Sequence, residues 1–269
     1  MAYRDLDRPP LDAAVLRAAL TGPDRFWTDV VVTSETGSTN ADVADAARAG
    51  APEGTVHTTD LQTAGRGRLD RGWESPVGSG VIVSVLLRPT SVPAGRWVWL
   101  PLLVGLAVDA TVKECGVASG LKWPNDVLVD GRKLAGILLE RVDTPLGSAA
   151  IIGVGLNVSL RRDELPVETA TSLALEGATE TDRTIVLRGF LRNLEALYRA
   201  WAASGGDPGS GIREAYVRRC VTLGTRVRVS LPDGGSLEGH ASGIDDSGRL
   251  LVDGTAISAG DITHVRPVT

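Results

Sequence analysis

The sequence predicts an α+β fold: a mixed, mainly antiparallel sheet packed with helices, followed by a small C-terminal β-barrel. Three observations carry this. Helical segments and β-branched runs are interspersed along most of the chain. A hairpin turn, Asp130-Gly131-Arg132-Lys133, joins neighbouring strands. From about Thr222 the helical period disappears, and short strands separated by Gly/Asp turns replace it.

In chain order, 11–20 reads as a short amphipathic helix stopped by Gly22-Pro23. Val30-Val31-Val32 is the first strand. A helix over 39–49 takes Ser38 or Thr39 as N-cap and Gly50 as stop. Residues 55–59 form a strand, and the glycine-rich stretch 62–80 is a long loop. A buried strand at 80–87 leads to a long helix at 96–115, begun or broken near Pro101. Short strands at 121–123 and 127–129 flank a Pro-Asn-Asp corner, and 134–141 and 150–154 continue the sheet. Helices follow at 181–203 and 211–220. The terminal strands fall at 226–231, 236–241 and 249–252, with turns at 232–235, 245–248 and 253–254. The expected division is an N-terminal helical extension (1–28), a catalytic-sized domain (29–221) and the small barrel (222–269).

The 269 residues are 43% hydrophobic and 23% charged, as in ordinary soluble proteins. A net charge of −5 argues against a broad nucleic-acid surface. Two cysteines, Cys115 and Cys220, make no disulfide framework and are expected reduced in the core. His57, His240 and His264 are scattered and carry no zinc-ligand spacing. Met1-Ala2-Tyr3-Arg4-Asp5 opens no apolar signal core. The most apolar run, 97–108, is shorter than the roughly 20 residues of a membrane helix. A cytoplasmic location with no membrane partner is expected.

Four segments carry chemistry. In Gln62-Thr63-Ala64-Gly65-Arg66-Gly67-Arg68-Leu69-Asp70-Arg71-Gly72-Trp73, glycines let backbone N–H groups approach an anion, and three arginines add guanidinium forks. This is neither a dinucleotide fingerprint nor a P-loop: the third glycine of the one and the Lys-Ser/Thr ending of the other are missing. In Lys122-Trp123-Pro124-Asn125-Asp126, the Asn offers both edges of an amide to a base and the Trp a stacking face. Lys133 then begins an apolar strand, Leu134-Ala135-Gly136-Ile137-Leu138-Leu139-Glu140, aimed at a buried anion. Gly153-Val154-Gly155-Leu156-Asn157-Val158 ends a strand with room for close ligand approach. Ser38-Thr39-Asn40 opens a helix whose N–H groups suit a polar or anionic ligand. Taken singly, each has a plain structural reading: a solvated loop, a turn with a core Trp and a snorkelling Lys, a strand bulge, an N-cap.

In this order and spacing the four segments resemble biotin–protein ligases, over the chain from about Val30 to its end. The resemblance implies a class II synthetase/biotin ligase-like catalytic domain and an SH3-like C-terminal domain. It implies ATP-dependent formation of biotinyl-5′-AMP, with Mg²⁺ carried by ATP rather than by a protein-only site. The biotin is then transferred to a lysine of a biotin carboxyl carrier domain of acyl-CoA or pyruvate carboxylases.

By the same resemblance Ser38, Thr39, Asn40 and Gln62 hold biotin's polar ring. Gly65, Arg66, Gly67 and Arg68 wrap its carboxylate and the phosphate, while Gly136 and Leu138 line the pocket. Arg71 meets ATP phosphates, Trp73 covers adenine, and Asn125 and Asn157 contact adenine or magnesium-linked groups. Lys133 lies against the reacting carboxylate and α-phosphate, and Asp126 orients the incoming lysine. The catalytic set is thus Lys133, Arg68, Arg66 and Asp126.

Asp70 departs from the family, which usually has Gly there, and puts the loop geometry in question. About 29 residues precede the first core strand, too few for the three-helix DNA reader of bifunctional relatives. A ligase without repressor function or DNA partner is expected, as a monomer or weak homodimer. The rival readings are a lipoate or octanoate ligase or transferase, and a biotin-responsive regulator.

Overall fold

The computed structural model describes residues 8–68, 71–231, 234–258 and 264–267, the last four as backbone. Met1 to Asp5, Asp70 and the Pro232-Asp233 pair lie outside the described residues.

Helix α1 (Ala13–Leu20) begins at Asp12, whose carboxylate accepts the Val15 N–H. It buries Leu16 and Leu20. Strand β1 (Asp29–Thr33), helix α2 (Thr39–Arg48) and strand β2 (Thr55–Thr59) form a crossover, which makes β1 and β2 parallel. Strand β3 (Gly80–Leu87) follows the glycine-rich loop. A 3-10 turn at Ala94–Trp99 runs into α3 (Leu100–Glu114), with Pro101 in its first turn, where no N–H is needed. Strands β4 (Gly120–Lys122), β5 (Asp126–Val129), β6 (Arg132–Thr144) and β7 (Gly147–Asn157) complete a seven-stranded sheet. Its order is β1-β2-β3-β7-β6-β5-β4, antiparallel apart from the first pair. The predicted mixed, mainly antiparallel sheet is therefore present.

The β6–β7 hairpin outruns its predicted strands because ladder bonds do not require apolar side chains. Beyond Glu140 polar residues continue the pairing, with Asp143 opposite Ser148 and the Arg141 guanidinium donating to the Ser148 hydroxyl. Together the 3-10 turn and α3 span 21 residues, apolar enough to match a membrane span in length and hydropathy, and longer than the run read from sequence. They are largely buried here, against α4 (Arg183–Ala203) and β6.

Strand period sorts the two faces of the sheet. On β3, Val81, Val83, Val85 and Leu87 enter the large core with α1, α3 and α4. Leu86 faces the other way and packs with Val43, Ala44 and Ala47 of α2 and Ile151 of β7. The α2 face is covered only in part, and the uncovered part of it becomes the cleft described below.

After α5 (Ile212–Arg219), strands β8 (Arg226–Ser230), β9 (Ser236–Ile244), β10 (Leu250–Val252), β11 (Thr255–Ile257) and β12 (His264–Pro267) form an antiparallel sheet ordered β11-β10-β9-β8-β12. The turn pattern had not revealed β11 or β12. Two indoles, one from the 3-10 turn before α3 and one from the corner between β4 and β5, reach the turn between β9 and β10. Trp99 Nε1 donates to Asp246 O at 2.9 Å, and Trp123 Nε1 to Gly248 O at 3.0 Å. Cys115 and Cys220 are buried and free, and burial pushes the Cys115 thiol up to about 11.

The described part of the N-terminal segment is fastened to the same core. Arg183 pairs with Asp60 at 2.8 Å and donates to Pro9 O, while the Leu11 N–H donates to Asp60. Arg8 forms a two-pronged ion pair with Glu164.

Candidate active site

The sheet floor is bare where α2 begins, because the residues there are glycines. Gly136 on β6 pairs with Gly155 on β7, and Leu138 with Gly153. A Cβ on Gly155 would stand 2.3 Å from Trp73 Cε2, and one on Gly136 3.1 Å from Trp73 Cζ3. A Cβ on Gly153 would stand 2.4 Å from Asn40 Oδ1. These three positions therefore admit an indole and an amide directly onto the backbone. The resulting cleft encloses about 170 Å³.

The start of α2 forms one side. Ser38 occupies the N-cap position, yet its side chain makes no capping bond and lines the cleft. The cap comes from the loop instead: Gln62 Oε1 accepts the Thr39 N–H at 2.8 Å and the Thr39 hydroxyl at 3.0 Å. Simple N-capping by Ser38 or Thr39, the plain reading of this motif, is replaced by a long-range cap. Asn40 is buried beside them.

The loop closes the front. Its ends are tied by Trp73 N–H to Gly65 O at 2.9 Å and Gly67 N–H to Arg71 O at 2.6 Å. Gly65 does not line the cleft; a Cβ there would meet Trp73 O at 2.3 Å, so it permits this closure. Arg66, Gly67, Arg68, Arg71 and Trp73 all line the cavity. Arg66 lies 3.4 Å from Glu140. Arg68 NH1 donates to Asn125 Oδ1 at 3.3 Å. Burial pulls the Arg68 guanidinium below its ordinary value, with Asp126 opposing the shift.

The corner between β4 and β5, with a cis Trp123–Pro124 peptide, supplies the far side. Trp123 is almost fully buried and is both a core residue and part of the lining. The Asn125 amide is used on both edges, donating from Nδ2 to Ile137 O at 2.9 Å and accepting from Arg68. Lys133 Nζ stands 2.7 Å from Asp126 Oδ1 and 5.7 Å from the centre of the Trp73 ring.

Of the residues assigned to the site from the sequence, all but two thus line one cavity. Gly65 stands behind the loop. Asn157 is buried at the end of β7, where its Nδ2 donates to Thr171 O at 2.9 Å, and it lies outside the lining. Trp73, expected over adenine, rests on Gly136 and Gly155. Ser84 and Glu140, which bond to Asn40, were not assigned from sequence because nothing local marks them.

Residues 32–157 match the model of the Biotin/lipoate A/B protein ligase family, and residues 222–265 that of the Biotin protein ligase C terminal domain. The chain is 42% identical to the biotin–[acetyl-CoA-carboxylase] ligase of Mycobacterium tuberculosis, over 99% of this chain and all of that one. It is 35% identical to the bifunctional ligase/repressor BirA of Bacillus subtilis, over 88% of this chain and 72% of the relative. Its fold matches the biotin protein ligase of Aquifex aeolicus in complex with biotin and ATP, with a TM-score of 0.76 and 28% identity, covering 90% of this chain and 100% of that one. A glycine floor, a tethered arginine loop and a full-length relative agree: the chain belongs to the biotin–protein ligase family.

Proposed function

We propose that this protein is a biotin–[biotin carboxyl carrier protein] ligase: it joins biotin to ATP as biotinyl-5′-AMP, then passes the biotinyl group to a carrier lysine. The observation that carries the reading is the convergence of Arg66, Arg68, Arg71 and Lys133 on one glycine-floored cleft.

In the first step a biotin carboxylate oxygen attacks the α-phosphorus of ATP, an O–P bond forms, and pyrophosphate leaves. Both reactants are anionic, so the protein's main tasks are to offset charge and align atoms. Lys133 is placed for the α-phosphate and carboxylate, and Arg66, Arg68 and Arg71 for the phosphates and the mixed anhydride. The Asp126 contact keeps Lys133 paired until a more negative partner arrives. Ser38, Thr39, Asn40 and Gln62 take the polar ring of biotin, and Gly136 and Leu138 its carbon frame. Trp73 must leave the floor for the acid to settle and would then close over the ligands. Asn125 is placed for adenine once Arg68 turns to phosphate. Asn157 supports this region through Thr171.

In the second step the carrier lysine's amine attacks the acyl carbon, a C–N bond forms, the C–O bond to AMP breaks, and the amine loses its proton. A free lysine has a pKa of about 10.4. Asp126, beside the reacting centre, is placed to hold that amine. Mg²⁺ carried by ATP would screen the phosphate charge, alongside the cations of Arg66, Arg68, Arg71 and Lys133.

We assign catalysis to 29–221, read 222–269 as an SH3-like unit and 1–28 as an N-terminal helical segment. An ATP-using reaction of this kind is placed in the cytoplasm, with no DNA partner. Mixing the protein with MgATP and biotin, lipoate or octanoate and following pyrophosphate exchange tests the reading. Exchange driven by biotin, and biotin mass added to a carrier domain, is the expected outcome. Exchange driven by lipoate or octanoate instead would overturn it.

A further inference from the structure

We propose that the exposed face of β8, carrying Arg226 and Arg228, is a docking surface for acidic side chains of the carrier domain. This rests on the ligase reading, whose second step brings that domain to the cleft.

The stretch from α5 into β8 is strongly basic. Residues 213–228 hold five arginines and one glutamate, in a chain whose net charge is −5. Three of the five have carboxylates of their own: Arg213 pairs with Asp246, Arg218 with Glu214 and Arg219 with Asp109. Arg226 and Arg228 share one, Glu238, at 3.9 Å and 2.5 Å. Their side chains are 65% and 57% exposed, while Val227 and Val229, which alternate with them, are buried. On the other side of β8 the register sets Arg266 of β12 directly opposite Arg228. Like charges paired across a ladder cost stability. A sheet selected for stability alone would place a carboxylate there; an acidic partner turns the cost into attraction.

The face is also close to the cleft. Thr222 Oγ1 accepts the Trp123 N–H at 3.0 Å, and Trp123 lines the cavity. Arg226 follows four residues later, at most about 14 Å of extended chain. A domain of about 100 residues has a radius of gyration of about 13 Å. A carrier whose lysine enters the cleft is therefore large enough to reach β8 as well. The rest of the chain is net acidic and repels the same partner. Rim charge of this kind speeds encounter and sets orientation more than it adds affinity. A nucleic acid fits this face less well, because it needs many phosphate contacts and a glutamate stands here among few cations.

The test follows biotin transfer to a carboxyl carrier domain that the wild-type protein labels, against carrier concentration and salt. Biotin-driven pyrophosphate exchange, which needs no carrier, is measured beside it. Arg226→Glu combined with Arg228→Glu is expected to raise the KM for the carrier about tenfold at low salt and to flatten its salt dependence, with exchange unchanged. The milder pair Arg226→Gln and Arg228→Gln should raise it less. Glu238→Gln should lower it, since both arginines are then released to the partner. An unchanged carrier KM and salt slope in both double variants would overturn the docking face. Loss of exchange in step with loss of transfer would overturn it too, as would a duplex oligonucleotide bound by these arginines while the carrier KM holds. A wild-type protein without biotin-driven exchange would instead overturn the ligase reading.

Discussion

The two sides of the cleft are held in opposite ways. Behind, Thr39, Asn40 and Ser84 are buried and bonded to one another, on a floor locked by the β3–β7–β6 ladders. In front, Arg66 is about half exposed, and the described part of the loop is held by backbone bonds between its own ends and to the 36–37 segment and by the Arg66–Glu140 and Arg68–Asn125 contacts. The buried network opens only at high cost, whereas the exposed one opens cheaply. The rear wall is therefore suited to judging which acid enters, and the loop to admitting it and then shutting out water, which destroys an acyl adenylate.

The sharpest way to break this division is Lys133→Ala. A lost electrostatic stabiliser of this kind lowers the adenylation rate by about 10²–10³-fold. The melting temperature should stay near wild type, since Lys133 is a partly exposed rim residue; exchange at the normal rate would remove it from the chemistry. Arg68→Gly comes next. With the loop cation gone, the intermediate should escape, raising biotin labelling of bystander lysines about tenfold, the effect of losing roughly one charge-assisted bond. Labelling confined to the carrier would show that Arg68 does not retain it.

Gly155→Ala probes the floor. Its Cβ would stand 2.3 Å from the Trp73 indole, so the ring must lift, at about 1–3 kcal/mol of overpacking. The expected readings are a shifted Trp73 emission, identified by subtracting the Trp73→Phe spectrum, and a raised biotin KM; an unaltered spectrum would place Trp73 elsewhere. The smallest effect lies off both walls. Arg8 holds the Glu164 carboxyl below its ordinary value of 4.5, so this pair's contribution is complete above pH 4.5 and fades as pH falls. Glu164→Gln should lower stability by about 1 kcal/mol at neutral pH. The gap should close in acid, with kinetics at the cleft untouched; a gap independent of pH would reject the ion-pair account.

This contrast also explains what could be read beforehand. The loop was legible because its chemistry is contiguous: Arg66, Arg68 and Arg71 are neighbours in the chain, and any cavity that gathers them betrays itself as a motif. The rear wall was legible only in part: Ser38-Thr39-Asn40 stands out as a motif, whereas Ser84 and Glu140 do not. Asn40, Ser84 and Glu140 come from a helix and two separate strands, and strand register alone brings them together. Ser38 looked like an ordinary cap because local sequence cannot show that Gln62 takes that task. The long hairpin was cut short where its side chains turn polar, although Asp143 still pairs with Ser148. Helix α3 and the covered strands were plain from apolar pattern, which is the part of folding that depends least on distant partners.

Trp123 links the reaction centre to the end of the chain. Its indole N–H is accepted by Gly248, and the next two residues lead directly to Asn125. A polypeptide emerging from the ribosome as far as α5 already holds every residue of the cleft, but not that acceptor. A buried indole N–H without its acceptor weakens the corner it supports. The C-terminal sheet thereby buttresses the corner that carries Asn125, and chains truncated before Gly248 should lose stability there by about 1–3 kcal/mol.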